Sequence, residues 1–158
     1  MQEKETKKIT RYEDLEIYRN TYGASIKVHK EIIFKLPNCE KYDLIDQLRR
    51  SSKAVPRLIA EGYSKRHQKA GFQKYLDDAL AECNETAVSL KHCRDIYDID
   101  CIDLIDLYDR SAKQIYRLSE IWSTFKRFKP DHHTHNQLRS RIQPQTNTQT
   151  SNEGPLPT

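Results

Sequence analysis

The chain has 158 residues, 36% of them hydrophobic and 32% charged, with a formal net charge of +4, which suits one domain with one apolar core. No stretch approaches the roughly 20 apolar residues that cross a bilayer. The N-terminal MQEKETKKIT has no apolar signal segment, so a cytoplasmic protein without membrane contact is expected.

Only four glycines occur, and four of the six prolines lie at or beyond Pro130. So few turn-formers favour long helices over many short strands. The four cysteines (Cys39, Cys83, Cys93, Cys101) form no C-x-x-C pair and suit neither a disulfide scaffold nor a close-paired zinc site.

The first expected helix covers about residues 12–36. Leu15, Tyr22, His29 and Leu36 recur every seven residues, and Tyr18, Ser25 and Ile32 form a second row widened by Ile26 and Ile33. Pro37-Asn38 is a turn signal. The second helix covers about 41–62, with Leu44, Leu48, Val55, Leu58, Ile59 and Gly62 on one face. Gly62 reads as its left-handed C-cap. The third covers about 68–97, with the rows Phe72, Ala79, Thr86, Cys93 and Leu76, Cys83, Leu90, Tyr97. The fourth covers about 100–125, with Cys101, Tyr108, Ile115, Trp122 in one row and Leu104, Ser111, Leu118 in the other. Short connections between long helices imply antiparallel neighbours. The expected fold is all-α, an antiparallel up-down-up-down four-helix bundle over residues 1–128. Residues 129–158 are polar and without apolar periodicity, and are expected to be a disordered tail.

Charge is unevenly spread. Residues 49–74 hold eight Lys/Arg and one acid, whereas residues 95–109 hold six aspartates and no Lys/Arg. Up-down topology gathers Glu40, Asp43, Asp46, Asp95, Asp98, Asp100 and Asp103 at one end of the bundle. It gathers Lys4, Lys7, Lys8, Arg11, then Lys65, Arg66, Lys69, then Lys126, Arg127, Lys129 at the other.

The second helix adds a side wall. With Val55 at 0° and about 100° per residue, Leu48, Ile59 and Gly62 fall within about 40° of it, while Arg49, Lys53, Arg57 and Arg50 occupy about 120° to 220°. A cationic stripe leading to a cationic end is the footprint of a phosphate-backbone binder. The competing reading is a solvated face balanced by acids such as Glu61, four residues after Arg57. Pro56 sits inside this helix, where a proline costs on the order of 3 kcal/mol in an unadapted backbone. Ser51 and Ser52 stand just upstream, placed to satisfy backbone groups that the proline frees.

Tyr12-Glu13-Asp14-Leu15, Gln47-Leu48-Arg49-Arg50-Ser51, Val55-Pro56 and Ile59-Ala60-Glu61-Gly62 occur in an order that resembles a family of bacterial four-helix-bundle proteins. These are often encoded within intervening sequences of large-subunit ribosomal RNA genes. Phe72, Tyr75-Leu76, Ala79 and Glu82 look like that family's third helix, so the resemblance covers about residues 11–122. It implies a ring-like homopentamer, similar in fold to the accessory variability determinant of diversity-generating retroelements, a basic pentamer that binds nucleic acid and assists a reverse transcriptase. Arg57-Leu58 stands where the family usually has small polar residues, which adds charge, and the chain after Phe128 looks like an extension.

Catalytic chemistry finds little footing. No E-x-x-H occurs, which argues against a carboxylate-bridged di-metal bundle. There is no Gly-rich phosphate loop and no G-x-S-x-G. His29 reads as a hydrogen-bonded core histidine, and His132, His133 and His135 fall in the polar tail. Tyr63, beside the basic turn, is a candidate for base stacking.

The expected protein is therefore non-enzymatic, without metal or cofactor, and homo-oligomeric. It is expected to bind nucleic acid, RNA before DNA, through Arg49, Arg50, Lys53, Arg57, Lys65, Arg66, Lys69, Lys126, Arg127 and Lys129. The alternative is an accessory scaffold that docks a partner enzyme such as a reverse transcriptase.

Overall fold

The computed structural model describes residues 9–124, apart from the side chain of Lys69. The expected tail at 129–158 lies outside the described residues. Within them are four α-helices and no strand: α1 (Glu16–Lys27), α2 (Leu44–Ser64), α3 (Lys69–Tyr97) and α4 (Ile102–Thr124).

Contacts across the pairs show the direction of each helix. Phe72 and Tyr75 of α3 approach Gly62 of α2, while Thr86 meets Ser51. Going on to α4, Asp77 meets Ser119, Cys83 meets Tyr108, and Leu90 meets Cys101. One number rises as the other falls, so α2, α3 and α4 run antiparallel in turn. α1 packs on both α2 and α4 and closes the ring.

The core follows the expected rows in α2, α3 and α4. Leu48, Val55, Ile59, Leu76, Ala79, Cys83, Leu90, Cys93, Tyr108 and Ile115 are fully buried. Trp122 caps one end, its ring edge-on to Phe72 with centroids 4.7 Å apart. A buried polar bridge joins α2 to α3: Thr86 Oγ1 lies 2.9 Å from Ser51 Oγ and 2.8 Å from Glu82 O. Bonded in this way, two hydroxyls enter the core without an unsatisfied group.

The first expected helix is three kinds of winding instead of one. A 3-10 turn spans Tyr12–Asp14, Leu15 is extended, α1 follows, and a π turn (Val28–Ile32) leads into a 3-10 turn (Ile33–Lys35). A π turn takes an extra residue, so no single heptad register runs through it. The buried row of α1 is Ile17, Thr21, Ala24 and Val28, continued by Ile32, Ile33 and Leu36. Thr21 joins that row because its hydroxyl donates to Ile17 O at 2.7 Å. Of the two expected rows, Leu15, Ser25, Ile32, Ile33 and Leu36 are buried, whereas Tyr22 is 50% exposed and Ile26 39%.

Gly62 does not end α2. The helix continues to Ser64, and no glycine among the described residues has positive φ. Gly62 instead lets α3 approach: a Cβ there would stand 2.8 Å from Tyr75 Cβ and 3.0 Å from Phe72 Cδ2. The left-handed cap belongs to Asp98 (φ 53°, ψ 30°), after which Ile99 N donates to Cys93 O in a Schellman-type closure of α3.

Candidate nucleic-acid interface

Arg49, Arg50, Lys53 and Arg57 are all exposed along the outward side of α2. Its inward side is the continuous Leu48–Val55–Ile59 core row, so the cations have no alternative direction. α2 runs unbroken through Pro56, which is buried. Ser51 and Ser52 do not serve the backbone group that Pro56 frees. Their hydroxyls donate one turn upstream, to Gln47 O and Leu48 O.

Arg50 pairs with Asp46 at 3.1 Å, an exposed i,i+4 contact that contributes little. Arg49, Lys53 and Arg57 make no ion pair within 4.0 Å among the described residues. Glu82 of α3 lies on the same flank. Burial chiefly, then the neighbouring Glu85, raises its carboxyl above the ordinary range, and the fields of Arg57 and Arg50 pull it back. The wall is thus bordered by carboxylates on its α3 side. On its α1 side it meets aromatic rings: Lys53, Pro56 and Arg57 share a groove with Tyr12, Tyr18 and Tyr22.

At the far end of α2 the turn carries Lys65 and Arg66, both exposed. Each rests on an aromatic ring. Lys65 Nζ is 5.3 Å from the centroid of Tyr75, and the Arg66 guanidinium is 4.2 Å from that of Tyr63 while Nη1 donates to Tyr63 O. Tyr63, the expected base-stacking residue, is therefore already covered by a cation. Lys69 opens α3. Arg11 precedes the 3-10 turn, which packs against α2. Lys126, Arg127 and Lys129 lie outside the described residues, as do Lys4, Lys7 and Lys8.

The opposite end carries the carboxylates. Tyr97 OH donates to Glu40 Oε1, which ties the connection before α2 to the end of α3. That hydrogen bond pushes the Tyr97 phenol up to about 12. No group of His, Cys, Asp and Glu able to hold a metal occurs among the described residues. Burial pushes the Cys93 thiol up to about 12. His29 is half-buried, with Nδ1 2.9 Å from Ser25 O and Nε2 buried without a hydrogen-bond partner. No helix among the described residues is long and apolar enough to cross a membrane.

The family model of the 23S rRNA-intervening sequence protein matches residues 13–120. The chain belongs to this family. The match reaches into all four helices and covers the α2 segment that carries the cationic wall. No curated protein and no solved structure matches the chain. The expected likeness to the retroelement accessory protein therefore has no solved structure behind it.

The tyrosines of the first segment are what sequence reasoning missed. Tyr22 read as core under a heptad register, but with Thr21 buried in the inner row it stands half open, while Tyr18 packs partly buried against the core. The signal present in the sequence was Ile17-Thr21-Ala24-Val28, an equally regular row whose threonine made it look polar.

Proposed function

We propose that this protein is a non-enzymatic, cytoplasmic, homo-oligomeric bundle that binds nucleic acid along the outward wall of α2. The observation that carries this is the state of Arg49, Lys53 and Arg57: exposed, unpaired within 4.0 Å among the described residues, and backed by a rigid buried face. Of the four wall cations only Arg50 has an i,i+4 acid within 4.0 Å, so the other three stand on one helix face without a carboxylate partner to displace. Cations that neutralise phosphates displace the counterions condensed on the nucleic acid, which supplies most of the affinity. Phosphate contacts carry no base information, so sequence preference is weak. The family's tie to a ribosomal RNA intervening sequence supports RNA as the ligand ahead of DNA. Self-association is supported by large apolar side chains left open in one copy, Phe34 at 80% and Tyr42 at 85% exposure. The pentamer is the number that the family resemblance implies.

The test is native mass and gel mobility of the purified chain before and after nuclease treatment, then with added RNA or DNA at low salt. Co-purifying nucleic acid, or a shift on adding RNA, supports the proposal. A nuclease-insensitive protein that shifts with neither overturns it in favour of a scaffold whose open surfaces dock a partner enzyme such as a reverse transcriptase.

A further inference from the structure

The groove between the first segment and α2 has a composition that the cationic wall alone does not explain. Three tyrosines are arranged in sequence along it. Tyr12 stands edge-on to Tyr18, with centroids 4.8 Å apart and planes at 77°, and Tyr18 lies nearly parallel to Tyr22, at 5.8 Å and 17°. Tyr22 ends the column with half of its surface open. Across the groove stand Lys53 and Arg57, and the small Ala60 leaves it open. Of the described residues that line it, none is acidic.

The column is held in place by local chemistry. The Asp14 carboxylate accepts from Thr10 N at 3.0 Å and from Arg11 N at 3.2 Å, which closes the 3-10 turn carrying Tyr12. The Arg19 guanidinium donates to Glu13 O and Asp14 O, at 2.8 and 2.9 Å, and pins that turn to α1. Burial first, then the neighbouring Tyr22, raises the Tyr18 phenol, in keeping with its place in the middle of the column.

We infer that this groove is a base-stacking platform for single-stranded nucleic acid, with Tyr22 taking a base and Lys53 and Arg57 the adjoining phosphates. The inference rests on the proposed function and narrows its ligand. A base laid on Tyr22 extends a column that already exists, so little ordering entropy is spent. Aromatic faces beside a cationic track are how proteins hold single strands without reading sequence. A duplex keeps its base faces stacked internally and presents phosphates alone, so it gains from Lys53 and Arg57 but not from the tyrosines. The pairing of both features in one groove, with no carboxylate among its lining residues, favours a nucleic acid over a protein helix, which would cover Lys53 and Arg57 without supplying the phosphates that compensate them.

The experiment compares the full chain with Tyr22→Leu and Tyr22→Phe, all nuclease-treated. Binding is read by anisotropy of a labelled oligouridylate of about ten nucleotides and of a duplex of the same length. Tyr22→Leu is expected to weaken the oligouridylate about five- to hundredfold, as the removal of a stacking ring does. Duplex affinity and the salt dependence of both should stay unchanged, since stacking releases no counterion. Tyr22→Phe should keep wild-type binding. If Tyr22→Leu alters the circular dichroism, Tyr22→Gln, a polar change at this half-open position, repeats the test. Three outcomes would overturn the inference while leaving the cationic wall intact: an unchanged single-strand affinity, an equal loss on duplex and single strand, or a changed native mass with unchanged RNA binding. A wild-type chain that binds neither probe defeats the proposed function itself, and the platform with it.

Discussion

α2 and the segment Tyr12–Lys35 lie side by side, are of similar length, and reverse the usual expectation about proline. α2 contains Pro56 and runs as one helix from Leu44 to Ser64. The first segment contains no proline, yet changes its winding at Leu15, at Val28 and at Ile33. Local propensity therefore does not decide regularity in this bundle. α2 is locked by a dense inner face, by the Ser51–Thr86 bridge and by the close approach at Gly62. The first segment has fewer such ties, and its π turn accommodates one residue more than an α-helix would.

A one-residue deletion separates the two regions most sharply. Removing Lys53 turns the rest of α2 by about 100° and takes Val55 and Ile59 out of the core. Each of those burials is worth about 1.5–3 kcal/mol, so with Leu58 and Gly62 also misplaced the loss approaches the whole stability of a small domain, and cooperative urea unfolding should disappear. Removing Lys30, exposed within the π turn, should convert that turn to α-helix and change the unfolding free energy by no more than about 1 kcal/mol. Comparable damage from the two deletions would show that the π turn is not an absorbed insertion.

Gly62→Ala is the next largest effect. The added methyl meets Tyr75 Cβ and the Phe72 ring, so α2 and α3 must separate, at about 1–3 kcal/mol in urea denaturation. The equivalent change at Gly23 of α1, where a Cβ would meet nothing within 4 Å, should stabilise by about 0.5–1 kcal/mol. Smaller again is the contrast between buried hydroxyls. Ser51→Ala breaks a bridge between two helices and should cost about 1 kcal/mol. Thr21→Val removes a bond within one helix only and should fall within about 0.5 kcal/mol of wild type.

The same contrast explains what could be read from the chain. Heptad rows located the cores of α2, α3 and α4 because those helices are regular, and the wheel on Val55 placed the four cations outward for the same reason. It failed in the first segment, where a change of winding has no residue-type marker and where Thr21 conceals a core position. The role of Gly62 was misread because glycine serves both helix ends and close packing, and only the position of Phe72 and Tyr75 distinguishes them. The cover of Tyr63 by Arg66 and the carboxylate border at Glu82 depend on tertiary neighbours that no spacing encodes.

The central claim is that the α2 wall meets phosphates, and it is tested most directly by the salt dependence of RNA binding. The plot of log Kobs against log salt should have a negative slope for the wild-type chain. In the variant with Arg49, Arg50, Lys53 and Arg57 changed to alanine, that slope should flatten by about 0.7 for each single-strand phosphate that no longer meets a cation. An unchanged slope in a variant that retains its helical content and native mass would contradict the account and remove α2 from the interface.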